Sequence, residues 1–226
     1  MSKTDKHSAD SNSTDTDLPA SDPLESLKDL LSSTSLPPVQ SWHPTSTRDI
    51  DMRIARNGEW FYNGSVIPRA RMVKLFSTVL RVDEDGETYL VTPQERLRIV
   101  VEDAPFTVVL LHKEGEGKTQ GLVLTTNTGD EVLAGAQNPI TVEYTRPNGE
   151  PSPYILVRDK LRALISRSVF IELAELAQPE HAHHESALKK NDADVVVNEV
   201  GDVEVNGVAD VVGVYSDGHF MPLAQH

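Results

Sequence analysis

The sequence predicts an α+β fold built from two related β-rich units, each with an amphipathic helix. Residues 61–68 and 215–222 share one pattern, in which an aromatic residue precedes Asn-Gly or Asp-Gly and a proline closes the phrase. Such a pair between β-forming residues is a strong hairpin signal, because a type I′ turn needs two residues with positive φ. Residues 57–59 and 148–150 both read Asn-Gly-Glu. Each precedes a predicted strand and then a predicted helix, so the sequence indicates a repeated strand–turn–strand–helix motif.

In the first unit the predicted elements are strand, strand, helix and strand. Ile50, Met52 and Ile54 alternate with other residues, which is the period of a half-buried strand. Residues 60–62 return as a second strand, and residues 88–91 form a later one. The helix between them is predicted from apolar residues at helical spacing. Its apolar stripe consists of Met72, Leu75, Phe76, Val79 and Leu80.

The second unit is predicted to be longer and richer in strands. Alternating or continuous apolar runs predict strands in this part of the chain. They lie at residues 97–101, 106–111, 121–125, 130–133, 140–144 and 154–157. A helix of about sixteen residues is expected to follow, because apolar residues again recur at helical spacing. Its stripe consists of Leu161, Leu164, Ile165, Val169, Leu173 and Leu176.

Composition changes along the chain predict five segments. They are an acidic disordered tail with a short helix (1–36), the first α+β unit (37–92), the second β-rich unit with the long helix (93–178), an acidic flexible excursion (179–213) and a closing strand (214–226). Within the excursion, Asn206-Gly207 suits another hairpin turn.

The formal net charge of −14 is concentrated at the two ends of the chain. An acidic surface repels phosphate backbones, so binding to nucleic acid or to an anionic membrane is not expected. The chain contains no cysteine, which excludes disulfides and thiolate chemistry. With no secretory signal and no apolar run long enough to span a membrane, the sequence predicts a cytoplasmic protein.

Charged residues on two predicted strands are the candidate ligand-binding residues. Asp51 and Arg53 share one face of the first strand, where ion pairing and ligand binding are both open readings. Arg96 and Arg98 share a face of a later strand. Two arginines in a row suit the capture of a carboxylate or phosphate, although a surface ion-pair network is the alternative. Asn127, in a polar turn, is a further candidate, although asparagine often serves turn geometry alone.

Other chemical motifs are incomplete. Residues 115–119 resemble the end of a phosphate-binding loop, but His112 stands where the motif needs its first glycine. His184-Glu185 begins like a zinc-protease motif, but Leu188 replaces the second histidine. No nucleophile elbow or dinucleotide-binding glycine pattern is present. The sequence therefore predicts no catalytic residue, no metal site and no cofactor.

Several phrases together resemble the bacterial domain-of-unknown-function family 1285. The resemblance rests on residues 38–44, 49–60, 75–80, 90–93, 101–106, 126–130 and 214–218. It implies an α+β protein with repeated structural motifs and a suggested role in signal transduction or ligand sensing.

The resulting expectation is a cytoplasmic regulatory or signal-transduction module. It would bind either a small ligand, of which an anion is one option, or a protein partner. An enzyme with a dispersed carboxylate and arginine site, and a structural protein-interaction module, are the two alternatives. Neither nucleic acid nor membrane is an expected partner.

Overall fold

The computed structural model describes residues 36–144, 149–180 and 211–225. The predicted tail helix, the His184-Glu185 pair and the Asn206-Gly207 hairpin lie outside these residues. The sequence turn at 147–150 is described only from Gly149 onward.

The first sheet has six strands in the order β3-β2-β1-β6-β5-β4. The strands are β1 (Ser46–Ile54), β2 (Trp60–Tyr62), β3 (Ser65–Val66), β4 (Leu80–Val82), β5 (Thr88–Val91) and β6 (Glu95–Val101). Neighbouring strands are antiparallel except for β1 and β6, which run parallel at the centre. The sheet therefore consists of two three-stranded meanders, β1–β3 and β4–β6, which are joined by the parallel pairing of β1 with β6.

The second sheet repeats this topology. Its strands are β7 (Phe106–Glu114), β8 (Gly121–Thr126), β9 (Glu131–Leu133), β10 (Ile140–Glu143), β11 (Ser152–Arg158) and β12 (Leu161–Ile165). They lie in the order β10-β11-β12-β7-β8-β9, with β12 and β7 parallel at the centre. When β7 to β12 are matched in order with β1 to β6, the second sheet has the same strand order as the first. The predicted two-unit repeat therefore fits the structure. The two Asn-Gly-Glu turns are not equivalent, because β1–β2 corresponds to β7–β8 and not to β10–β11.

The predicted α+β fold class is wrong, because the structure is predominantly β with two curled six-stranded sheets, and its two helices do not occupy equivalent places in the repeat. Helix α1 (Ala70–Thr78) lies in the first unit between β3 and β4, and helix α2 (Arg167–Glu175) follows the last strand of the second sheet. The predicted sixteen-residue helix is replaced by β12 and the nine-residue α2. Leu161, Ala163 and Ile165 are buried in alternation, and they pair with strands on both sides. Sheet pairing on both edges thus outweighs the helical spacing of the leucines.

A third sheet lies outside the repeat. Its strands are β13 (Gln178–Glu180), β14 (Val211–Ser216) and β15 (His219–Gln225). Its hairpin turn at Asp217-Gly218 has φ of 50° and 74°, and the turn at Asn63-Gly64 has φ of 48° and 74°. Both predicted hairpin turns are confirmed. The buried Ser216 hydroxyl fixes the closing hairpin, since it accepts a hydrogen bond from Leu122 N (2.9 Å) and donates one to Ala134 O (2.7 Å).

Both sheets and both helices contribute to one hydrophobic core. Its larger buried members include Trp60, Phe76, Leu90, Phe106, Leu124, Ile155 and Met221. In β1 and β6 the buried residues alternate with residues that face away from the core. This alternation leaves the outer face of the first sheet uncovered and positions the charged residues described next.

Candidate functional site

Four of the five predicted site residues lie on the outer face of the first sheet. Asp51 and Arg53 alternate with buried Met52 and Ile54 on β1, as Arg96 and Arg98 do with buried residues on β6. The register between β1 and β6 shifts between Asp49 and Arg53. The structure therefore brings these four residues onto one surface, as the strand periodicity indicates.

Arg96 is held from three sides. Its Nη1 donates to Asp83 Oδ2 at 2.5 Å, and its Nε donates to Thr47 Oγ1 at 2.8 Å. Its guanidinium carbon lies 4.8 Å from the centre of the Tyr89 ring, within the range of a cation–π contact. The side chain is thus fixed in position, while its Nη2 group makes no hydrogen bond to the described residues.

Arg98 forms a bidentate ion pair with Asp49. Nε and Nη2 donate to the two carboxylate oxygens at 2.8 and 2.9 Å. The Arg98 side chain is 46% exposed and that of Asp49 is 69% exposed. Ion pairs this exposed contribute little to stability, because solvent and salt screen them.

Arg53 lies between a carboxylate and an aromatic ring. It donates to Glu102, and its guanidinium carbon lies 4.1 Å from the centre of the Phe61 ring. Glu102 also accepts the backbone N–H of Arg56 at 3.0 Å, and these two hydrogen bonds lower the pKa of Glu102. The neighbouring Asp51 side chain is exposed and forms no ion pair with another described residue.

Asn127 does not belong to this face. It lies in the turn between β8 and β9, where its Oδ1 accepts Thr107 N at 3.1 Å. Its Nδ2 donates to Gly58 O at 3.3 Å. Asn127 therefore connects a turn of the second unit to the β1–β2 turn of the first unit.

A polar cleft opens at the end of the outer face, where four segments of the chain meet. The N-terminal segment before β1, the β4–β5 region and β6 of the first sheet, and the β11–β12 turn of the second sheet form its walls. Its lining residues are Gln40, His43, Arg81, Val82, Asp83, Glu84, Asp85, Arg96, Asp159 and Lys160. Of the predicted residues, Arg96 lines this cleft. A smaller groove beside the β1–β6 register shift is lined in part by Asp49, Arg98 and Val100.

Arg81 organises the cleft, and the sequence analysis missed it. Its Nη1 donates to the carbonyl oxygens of Val39 (2.8 Å) and Trp42 (2.9 Å), and its Nε donates to Asp83 at 2.5 Å. The available signal was an arginine between the apolar residues of a short strand, where a charged side chain needs partners to be buried. Arg81 attaches the N-terminal segment to the edge of the first sheet.

Asp83 carries the most constrained charge in the cleft. Its burial alone would raise its pKa, but the hydrogen bonds and positive charges of Arg81 and Arg96 outweigh that effect and lower the pKa below 3.8. Nearby, Asp85 accepts hydrogen bonds from the Glu87 backbone N–H (3.0 Å) and the Tyr89 hydroxyl (2.8 Å). These bonds lower the pKa of Asp85, and the bond from Tyr89 raises the pKa of the phenol.

Within the described residues, no group of three or more histidine, aspartate or glutamate side chains is arranged to hold a metal ion. None of the helices in the described ranges is long and apolar enough to cross a membrane.

The fold and the site define a class of protein, a two-unit β-rich protein with a polar cleft at the boundary of its repeated sheets. The family model for the N-terminal domain of the domain of unknown function DUF1285 matches residues 37–104. The model for the C-terminal domain of the DUF1285 proteins of unknown function matches residues 105–193. The chain belongs to the DUF1285 family, which confirms the resemblance found in the sequence.

Two solved structures of this family are similar to the chain. The crystal structure of a DUF1285 family protein from Silicibacter pomeroyi has 38% sequence identity and a TM-score of 0.73, over 91% of this chain and 97% of that one. The crystal structure of a DUF1285 family protein from Shewanella baltica has 27% identity and a TM-score of 0.44, over 55% of this chain and 90% of that one. No curated protein matches the chain.

Proposed function

We propose that this protein is a cytoplasmic regulatory module that binds a small polar ligand in the cleft between its two units. The observation that carries the proposal is the composition of the cleft, whose walls come from four separate segments and include the fixed side chain of Arg96. Concave sites at the boundary between two structural units are common places for small ligands, and a few fixed polar groups give them specificity. The cytoplasmic part of the proposal rests on the cysteine-free composition.

The alternative of acid–base catalysis receives less support from the electrostatics. A carboxyl group that acts as a general acid at neutral pH needs a raised pKa. The pKa values of Asp83, Asp85 and Glu102 are instead all lowered. Lowered values are typical of carboxylates in ion pairs and hydrogen bonds, so these three carboxylates fit a binding role better than the role of a general acid.

A thermal-shift screen of the full chain against metabolites, nucleotides and divalent metals tests the proposal. A ligand at a hundred times its Kd adds about 2.7 kcal/mol of stability, which corresponds to a shift of about 5–11 °C at this size. The shift should be lost in Arg96→Ala, which removes a cleft residue. It should persist in Arg98→Ala, a matched control two residues away on the same face but outside the cleft. Equal losses in both variants, or no shift with any compound, would contradict the proposal.

The second candidate function, docking of a protein partner, is favoured by an apolar stripe across the outer face. Val66 pairs with Phe61, Phe61 with Arg53, and Arg53 with Val100. Val66 is 48% exposed and Val100 is 58% exposed. Arginine and aromatic side chains such as phenylalanine are enriched in protein interfaces relative to the rest of the surface. The test compares proteins captured from cell extract by the wild type and by Val66→Lys/Val100→Lys, and equal capture would reject this surface.

A further inference from the structure

Most charged side chains in the cleft already have an ion-pair or hydrogen-bond partner within the protein. Arg81 and Asp83 pair with each other, and Asp85 accepts two hydrogen bonds. Asp159 accepts a hydrogen bond from Gln40 Nε2 at 3.0 Å. These groups shape the walls, but a ligand would have to break existing hydrogen bonds or ion pairs to engage them fully.

Two opposite charges in the same cleft remain unpaired. Among the described residues, neither the Glu84 carboxylate nor the Lys160 ammonium has a hydrogen bond or ion pair, with each other or with any other group. Glu84 follows β4 in the first unit, and Lys160 lies in the β11–β12 turn of the second unit. Within the part of the chain that the structure describes, the cleft thus presents a carboxylate without a partner from the first unit and an ammonium group without a partner from the second unit.

The balance of charges argues against a ligand with a single kind of charge. The lining contains three permanent cations, Arg81, Arg96 and Lys160, against four carboxylates, Asp83, Glu84, Asp85 and Asp159. A simple anion is attracted by Lys160 and the open Nη2 of Arg96 but is repelled by Glu84. A simple cation is attracted by Glu84, Asp85 and Asp159 but is repelled by Lys160. Opposite charges within about 4–6 Å favour one another, and like charges disfavour one another.

A small molecule that carries both charges satisfies both groups at once. Building on the proposed function of the cleft, we propose that its ligand is a small hydrophilic zwitterion of the α-amino-acid type. Its carboxylate would face Lys160 and Arg96, and its ammonium group would face Glu84. Apart from Val82 the lining side chains are polar or charged, so a hydrophilic ligand side chain is expected.

Isothermal titration calorimetry with the full chain tests this inference. The probes are glycine, L-serine and L-glutamine as zwitterions, acetate and inorganic phosphate as anions, and methylamine as a cation. We expect at least one amino acid to bind and the singly functional compounds to bind at least about ten-fold more weakly, since one lost charged contact costs roughly a factor of ten. Glu84→Gln and Lys160→Gln should each weaken amino-acid binding by a similar factor.

The matched controls are Glu131→Gln and Lys113→Gln, which make the same chemical changes at exposed positions on the second sheet. Both should bind like the wild type. If acetate or phosphate binds as tightly as the amino acids, or if Glu84→Gln leaves binding unchanged, the zwitterion inference is overturned. A cleft ligand that depends on Arg96 would still stand in that case. If no probe binds and the metabolite screen is also silent, both the inference and the proposed function fail.

Discussion

Gly58 marks a contact between the two units that is too close to accept a larger residue. It lies in the β1–β2 turn with φ of 83°, a left-handed conformation. A Cβ atom at this position would lie 2.8 Å from Asn127 Nδ2 and 2.9 Å from Thr107 Oγ1. Both atoms belong to the second unit, so Gly58→Ala should disturb the junction as well as the turn.

The cost of Gly58→Ala can be worked out from these contacts. A left-handed conformation costs an L-residue about 1–2 kcal/mol. Moving Asn127 away from the new methyl group also weakens its hydrogen bonds to Thr107 N and Gly58 O, at about 1 kcal/mol each. The free energy of unfolding should therefore fall by about 2–4 kcal/mol. Gly86→Ala is the matched control, because Gly86 has φ of 80° with no atom near the added Cβ, and it should cost only about 1–2 kcal/mol.

Urea unfolding followed by the fluorescence of Trp42 and Trp60 measures these differences. A double-mutant cycle adds a sharper test, because Asn127→Ala removes one of the two obstacles. The combined loss in Gly58→Ala/Asn127→Ala should be smaller than the sum of the single losses. If Gly58→Ala costs no more than Gly86→Ala, the crowding argument is refuted. Strict additivity would show that Asn127 is not the obstacle.

Two further substitutions test the closing hairpin and the cleft. Ser216→Ala should lower the free energy of unfolding by about 2–3 kcal/mol, because it leaves the buried Leu122 N–H and Ala134 carbonyl without their partner. Thermal unfolding measures this loss. A loss no larger than that of the exposed control Ser168→Ala would contradict the prediction. Asp83→Asn should flatten the pH dependence of stability in acid. Because two arginines hold the folded pKa of Asp83 below 3.8, its stabilisation is present above that pH and is lost as the pH falls through the folded value. Urea midpoints should therefore drop more steeply below about pH 4 in the wild type than in the variant, and parallel curves would refute the assignment.

Local sequence signals predicted the turns and most of the strands. The Asn-Gly and Asp-Gly pairs at 63–64 and 217–218 adopt the expected positive φ angles, because the requirement of a type I′ turn is local. Strand periodicity also placed Arg96 and Arg98 on one face. The helix predicted from residue 161 failed because Leu161, Ala163 and Ile165 are also compatible with a strand period of two. Pairing with β11 and β7 decided between the two, and such pairing cannot be read from a short window.

The cleft could not be predicted in the same way. Its lining combines segments that are distant in sequence, near residues 40, 83 and 159. Glu84 and Lys160 are ordinary exposed residues in turns when read locally. Only the packing of the second unit against the first shows that they line one cleft, and only the contacts among the described residues show that neither has a partner there.

The position of the cleft links ligand binding to the packing of the two units. The units also meet through Asn127 and Gly58, and through the Arg158 Nη2 hydrogen bond to Ser77 O at the end of α1 (2.6 Å). Under the proposed function, a ligand that contacts Glu84 and Lys160 together acts across this same boundary. It therefore stabilises the packed arrangement of the units by RT ln(1 + [L]/Kd). Gly58→Ala weakens the junction, although Gly58 does not line the cleft. This variant should bind the ligand more weakly, because part of the binding free energy must then restore the packing of the two units. Unchanged affinity in that variant would show that the cleft and the junction are independent.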